Sequence, residues 1–341
     1  MATNLSSNSN ISTSKMQEEL RGADEKTPEK YAHIISTLPK KKGWANDQYR
    51  YQGFWYSGFL LNAVMSVQDN FKARPSDVLI TSSPKSGTTW LKALVFALLN
   101  RNLDDPTSNH LMLTSNPHEY IPFLEIQLYA KKQIPNLDVM PSPRLLATHI
   151  PYSSLPESAR DSGCRIVYIS RDIKDVFVSL WHFVNKVRHD MKEEISLEKA
   201  FESYCDGVSI YGPIWDHQLE YLKASVVRPQ CVMFLRYEEM MEDPLSEVRR
   251  LAQFLGRPFS EEEEKGGVVE EIVKVCSFES LKDLQVNKVG ELQLEMMKMK
   301  NQLFFRRGVV GDSKRWLTPE MIGRLDGLTE SMMDTFGSPT I

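Results

Sequence analysis

One lysine stands two positions ahead of a glycine and among six hydroxyls in Thr81-Ser82-Ser83-Pro84-Lys85-Ser86-Gly87-Thr88-Thr89-Trp90. Hydroxyls, a glycine that lets the backbone approach anionic oxygens and one movable positive charge are the components of a phosphate cradle. Nucleotide triphosphate loops end Gly-Lys-Ser/Thr and set the hydroxyl on Mg²⁺. Here the lysine precedes the glycine, which weakens the case for a metal. A Ser/Gly-rich turn that merely opens a helix is the bland reading of Lys-Ser-Gly-Thr-Thr. His149 closes the apolar run Leu145-Leu146-Ala147-Thr148. A neutral imidazole near its ordinary pKa of about 6.5 can take a proton from an attacking hydroxyl. Arg171 ends a second apolar run, Arg165 to Ser170, and a guanidinium holds phosphate with a bidentate fork. Arg306, Arg307 and Gly308 lie together in Phe305-Arg306-Arg307-Gly308-Val309-Val310-Gly311-Asp312, a segment suited to closing over an anion. Each has an ordinary alternative: a structural histidine, an Arg171 capped by Asp172 or Asp175, a basic surface turn.

Positioning these groups requires an alternation of strand and helix. Asp77 to Thr81 reads as a short buried strand and Trp90 to Leu99 as a helix with few polar positions, so the lysine loop opens a helix N-terminus. Unpaired N–H groups and the positive end of the helix dipole then face a ligand. Further strands are predicted at Leu145 to Thr148, Arg165 to Ser170 and Cys231 to Tyr237. Helices are predicted at Tyr31 to Leu38, Leu60 to Phe71, Asp175 to Val187 and Leu245 to Leu255. This alternation argues for an α/β fold with a parallel sheet flanked by helices, whose ligands collect at the carboxyl ends of the strands. Glu261 to Glu264 reads as a solvated helix start after Ser260. Val286 to Gln302 shows no clear period and reads as a mobile flap.

With 341 residues, 41% hydrophobic and 25% charged, the composition is that of an ordinary globular protein, read here as one domain. A net charge of -4 leaves no basic excess for nucleic acid. Cys164, Cys205, Cys231 and Cys276 lack metal-ligand spacing and read as reduced thiols. No apolar run approaches the roughly 20 residues that span a bilayer, and no signal-peptide core opens the chain. Residues 1–29 read as a disordered tail ahead of a domain at 30–341. A plastid transit peptide is the alternative, although the first 20 residues carry one Lys and no Arg.

Pro84-Lys85-Ser86-Gly87-Thr88-Thr89-Trp90-Leu91 resembles the 5'-phosphosulfate loop of the cytosolic sulfotransferases, and of their plant branch in particular. That family moves a sulfonate group from 3'-phosphoadenylyl sulfate to an acceptor hydroxyl and releases adenosine 3',5'-bisphosphate. The resemblance runs from about Leu38 to about Met332 and implies a P-loop-like sheet of about five strands in a single domain. It implies that His149, in Thr148-His149-Ile150-Pro151, is the general base and Lys85 its catalytic partner. Ser86, Gly87, Thr88 and Thr89 would hold the 5'-phosphate. Arg171, Ser179, Arg306, Arg307 and Gly308 would hold the 3'-phosphate. Ser179 is not a choice that spacing alone makes, since it lies roughly 10 Å along a helix from its start. Trp90 and Phe278, the latter in Cys276-Ser277-Phe278, would enclose adenine, with Tyr237 and Tyr211 as further nucleotide contacts. The family needs no metal.

Two departures are visible. Ala147 stands where animal members carry Lys, and Ser313 stands where Trp usually follows Gly-Asp, with Trp316 nearby. The animal dimer motif aligns with Lys314 to Gly323, where Pro319 and Gly323 replace Val and Glu, so a monomer is expected in the cytoplasm. An aromatic acceptor pocket is expected from Tyr49 to Trp55 with Phe123, Tyr129, Tyr152 and Trp181. It suits a flavonoid, steroid, hydroxyjasmonate or desulfo-glucosinolate. The rival readings are an ATP-dependent phosphotransferase and a nonenzymatic nucleotide-binding protein.

Overall fold

A computed structural model describes residues 29–101, 111–131, 134–188, 194–295 and 297–336. Residues 1–28 of the expected N-terminal tail lie outside them. The chain opens with the helix Glu29–Thr37 and a small antiparallel sheet of β1 (Lys40–Lys42), β2 (Asp47–Tyr51) and β3 (Phe54–Ser57). The helix Gly58–Asn70 follows, capped by the Ser57 hydroxyl.

The central sheet is parallel and contains β4 (Val78–Ser82), β5 (Leu145–Thr148), β6 (Arg165–Ser170) and β7 (Val232–Arg236) in the order β5-β4-β6-β7. It has four strands where about five were expected. Phe123 adds a single bridge to Ala147 beside the β5 edge and extends no further. All five residues of β4 are buried, as a strand covered on both faces requires. Alternate residues feed two cores. Val78 and Ile80 of β4 and Val167 and Ile169 of β6 pack with Leu91, Leu94 and Leu98 of the helix Thr88–Leu99. Leu79, Ile166 and Tyr168 face the opposite side, against Leu61, Val64 and Tyr221. Helices therefore cover both faces.

At the amino ends of β4 and β5, Arg144 grips Asp77 with Nε–Oδ1 at 2.8 Å and a second bond at 2.5 Å, both side chains almost fully buried. This fork fixes the stagger that pairs Val78 with Leu145. In phase, all the carboxyl ends fall at one edge: Thr81 opposite Thr148, Ser82 opposite Ile169 and Ser170 opposite Arg236. The lysine loop follows β4, one of the two inner strands. Among the described residues no helix is long and apolar enough to cross a membrane.

The segment Val286 to Gln302, expected to lack a period, holds a hairpin of β8 (Glu291–Gln293) and β9 (Lys298–Lys300). Leu292 and Met299 are its paired central residues, and both line the main cavity. The charged and polar residues that alternate with them hid a period of two.

Candidate active site

Each strand of the central sheet delivers a chemically useful residue within a few positions of its carboxyl end. After β4 the loop turns at Lys85 (φ +69°) and Gly87 (φ +113°) before the helix Thr88–Leu99. A Cβ at Gly87 would lie 2.9 Å from Tyr237 and 3.0 Å from Ile169, so only glycine fits there. No side chain caps the helix start, and its free N–H groups remain available to an anion. The Lys85 ammonium sits 4.3 Å from the Phe183 ring centre. Burial, then the charges of Arg306, Arg171 and Lys186, lower its pKa to about 7.

His149 follows β5. Its Nδ1 lies 2.8 Å from the Ser82 carbonyl oxygen. A carbonyl can only accept, so Nδ1 carries the hydrogen and Nε2 keeps the lone pair. Burial and the nearby Lys92, His217 and Lys85 lower the imidazole pKa to about 3, against the pull of the Ser82 bond. The ring is neutral, as a base must be before it acts.

Arg171 follows β6. Its NH2 donates to Asp175 Oδ2 (3.1 Å) and to the Val309 carbonyl (2.7 Å), its guanidinium stacks 4.5 Å from Tyr237, and its Nε is buried without a partner. Asp175 also accepts from the backbone N–H of Gly311 and Ser313, both at 2.8 Å, which ties the arginine loop to the helix Ile173–Arg188. Ser179 is four residues after Asp175 and shares that helix face. In the loop, Arg306 NH1 donates to Asp312 Oδ2 at 2.5 Å, Arg307 Nε lies 3.1 Å from Oδ1, and Arg306 Nε is buried and unpartnered. The Gly308 carbonyl accepts from the Tyr237 hydroxyl at 2.9 Å. A Cβ on Gly308 would fall 2.4 Å from the Phe278 ring. Trp90 meets Tyr237 edge to face at 5.5 Å.

Lys85, Gly87, Thr88, Thr89, Trp90, His149, Arg171, Ser179, Tyr211, Tyr237, Phe278 and the Arg306 to Gly308 turn all line one cavity of about 550 Å³. A sulfotransferase domain model matches residues 75–337, which include every one of these. The relative cytosolic sulfotransferase 17 of Arabidopsis thaliana is 49% identical over 90% of this chain and 89% of its own. The chain belongs to the plant cytosolic sulfotransferase family. Cytosolic sulfotransferase 16 of the same plant is 46% identical over 92% of this sulfotransferase and 93% of its own length. An Arabidopsis thaliana crystal structure assigned as a steroid sulphotransferase is 39% identical, with a TM-score of 0.68, over 91% of this chain and 94% of that one. A mouse sulfotransferase bound to adenosine 3',5'-bisphosphate is 26% identical, with a TM-score of 0.65, over 84% and 94% of the two chains.

Some expected site residues of this sulfotransferase lie elsewhere. The Ser86 hydroxyl turns inward onto Ser83 at 2.6 Å, and Cys276 is fully buried in the apolar core; neither is among the cavity-lining residues. Tyr211 reaches the cavity beside His149, 5.5 Å between ring centres, and its hydroxyl bonds to Glu125. It is not grouped with the arginines. The aromatic pocket needs a larger correction, because of its members only Phe123 lines the cavity. Tyr49, Tyr51, Phe54 and Trp55 belong to the β2–β3 hairpin, where Phe54 packs on His217. Tyr152 packs on Tyr221, and Trp181 lies against His182 and Trp316. Phe59, Leu60, Ile126, Phe183 and Phe304 take their place in the lining. Ser313, in place of the usual Trp, is held through its backbone by Asp175.

Two polar residues near the base escaped the sequence reading. Lys92, fully buried, bonds to His118 Nδ1 at 2.9 Å, and Glu125, also fully buried, bonds to the backbone of His149. Each is a lone charge inside an apolar run, and that was the available signal.

Proposed function

We propose that the enzyme transfers the sulfonate group of 3'-phosphoadenylyl sulfate to a hydroxyl of a small, ring-bearing acceptor. The observation that carries this reading is the shared cavity. Its lining brings together the imidazole of His149, the lysine loop and the arginines Arg171, Arg306 and Arg307. The buried, unpartnered Nε atoms of Arg171 and Arg306 favour an anionic ligand, since such donors are costly to leave unpaired. Trp90, Phe278 and Tyr237 offer a flat slot for a purine. The relative that binds adenosine 3',5'-bisphosphate favours the same donor.

The donor, when bound, supplies an activated sulfur with a good leaving group. His149 Nε2 takes the proton of the acceptor hydroxyl, while its Nδ1–H keeps the ring oriented on the Ser82 carbonyl. Lys85 neutralises charge that grows on the transferred group and on the bridging oxygen. Thr88, Thr89 and the free N–H groups of the helix start hold the 5'-phosphate. Arg171, Ser179, Arg306, Arg307 and the Gly308 backbone hold the 3'-phosphate. Lysine and arginine supply the positive charge, so no metal is needed. Phe59, Leu60, Phe123, Ile126 and Ile210 supply apolar lining, which suits a neutral flavonoid, steroid, hydroxyjasmonate or desulfo-glucosinolate. The relative assigned to steroids is in keeping with this.

We place the catalytic domain at 30–341, after a tail, and take the enzyme to be a cytoplasmic monomer. The names of its relatives and the replaced dimer positions Pro319 and Gly323 support this. Calorimetry without metal tests the donor. Binding of adenosine 3',5'-bisphosphate in the micromolar range with none of ATP is the expected result. The reverse preference would revive an ATP-dependent phosphotransferase. Tight binding without turnover over an acceptor panel would point to a nonenzymatic nucleotide-binding protein.

A further inference from the structure

Glu125 lies in a π-helical turn, Leu124–Leu128, a rare geometry that often marks functional positions. Its carboxylate is fully buried. Oε1 accepts from the backbone N–H of His149 (2.8 Å) and from the Tyr211 hydroxyl (3.1 Å), and Oε2 accepts from the Thr148 hydroxyl (2.8 Å). Thr148 Oγ1 in turn accepts from the Ile150 N–H at 3.0 Å, which leaves its own hydrogen for Glu125. Three donors converge on two oxygens, and each of these bonds uses the carboxyl group as an acceptor. On the other side, the His149 carbonyl accepts from His217 Nε2 at 2.8 Å, and His217 Nδ1 pairs with the Tyr168 hydroxyl at 2.9 Å. The backbone N–H, the carbonyl and the ring of His149 are thus each held by a different element.

Hydrogen bonding alone does not call for a charge here, because a buried carboxylate without a cation is expensive. The three donors to Glu125 are uncharged. Burial raises its pKa, and among the described residues no cation forms an ion pair with it. Lys85, Lys92, His118 and His217 face the imidazole, and each disfavours a second positive charge. Tyr56, Tyr211 and Tyr221 stand around the carboxylate as neutral phenols. Of these groups only Glu125 has the sign that favours an imidazolium. Lys92 feels the carboxylate too, although burial pushes its own pKa well down; when His149 accepts a proton, a cation forms on the residue whose backbone N–H Glu125 holds.

We propose that Glu125 is a positioning residue of the transfer reaction: its hydrogen bonds hold the His149 segment against the cavity, and its buried charge stabilises the imidazolium formed there. This rests on the assignment of His149 as base. It goes beyond that assignment by giving the strength of the base to a residue that does not touch the substrate.

The test is Glu125→Gln in the full chain, measured by single-turnover transfer to a series of phenols of graded acidity, with bisphosphate binding by calorimetry as the control for folding. The amide keeps the shape, removes the charge and replaces one acceptor with a donor. The expected result is unchanged bisphosphate affinity and a rate loss on the order of 10- to 10²-fold for weakly acidic phenols. The loss should shrink as the phenol becomes more acidic and needs less help from the base. A uniform loss across the series, or none, would overturn the proposal. Tyr211→Phe removes one neutralising donor while keeping the charge, and it should change the acidity dependence in the opposite direction. If the glutamine variant does not fold, an unaltered dependence in Tyr211→Phe overturns the proposal by itself. Wild-type protein that fails to transfer sulfonate sinks the donor reading. Active wild type matched by Glu125→Gln sinks this inference alone.

Discussion

Arg306→Ala isolates the recognition of the 3'-phosphate. In the free enzyme the side chain is 14% exposed, one guanidinium nitrogen is committed to Asp312 and Nε is buried without a partner. Nε, the second terminal nitrogen and the charge they share are therefore what the residue has left for a ligand. A charge-assisted hydrogen bond contributes about 1.5–3 kcal/mol, and each 1.4 kcal/mol is tenfold in affinity. The variant should then bind adenosine 3',5'-bisphosphate about 10- to 10²-fold more weakly. Arg307 lies 3.1 Å from Asp312 and is 42% exposed, so it can swing over part of the vacated space. That places the expected loss toward the lower end. Adenosine 5'-monophosphate, which lacks the 3'-phosphate, should bind the variant as it binds the wild type. Calorimetry at one fixed ionic strength measures both, because surface charge effects fall with salt. Equal losses for the two nucleotides would show that Arg306 supports the loop and does not read the 3'-phosphate.

Replacing His149 with Ala should lower single-turnover transfer by about 10²- to 10⁴-fold and leave bisphosphate affinity intact, and an unchanged rate would remove it from the mechanism. Lys85, with its pKa lowered to about 7, is mostly neutral at about pH 8, and a bound phosphate raises that pKa again. Bisphosphate binding should therefore take up a proton, seen as a dependence of the heat on buffer ionisation enthalpy. Lys85→Met should abolish it, and a wild type without uptake would contradict the assignment. Gly87→Ala forces a Cβ to 2.9 Å from Tyr237 at a φ of +113°. It should cost about 1–3 kcal/mol of stability, read from denaturant unfolding, and a variant of wild-type stability would mean that the loop relaxes freely.

The central strands could be read to within a residue of their ends because a strand buried on both faces leaves a continuous apolar run. Asp77 to Thr81 was expected and Val78–Ser82 is observed, while Leu145–Thr148 and Arg165–Ser170 agree at both ends. The hairpin β8–β9 escaped because each strand is three residues long and alternates charged or polar groups with one apolar side chain, Leu292 buried and Met299 half-buried. Aromatic residues misled for a different reason. A ring is as useful in a core as in a pocket, and the residue type does not say which. Phe54 and Trp55 are buried, with Tyr49 and Tyr51 packed against the core, whereas Phe59 and Phe183, with no special sequence context, line the cavity.

From the sequence alone came the local chemistry: a lysine and glycine loop between a strand and a helix, a histidine and an arginine at the ends of two further strands, and a late pair of arginines. These follow from short-range rules, since strand ends, helix starts and glycine turns are set by neighbours in the chain. Tertiary packing decided which groups share a cavity and in what state. Arg171 meets the Val309 carbonyl across 138 positions, Glu125 meets Tyr211 across 86, and the proton on His149 Nδ1 follows from a carbonyl 67 positions away. Protonation, orientation and access depend on burial and on partners brought from distant segments, and no local pattern encodes those.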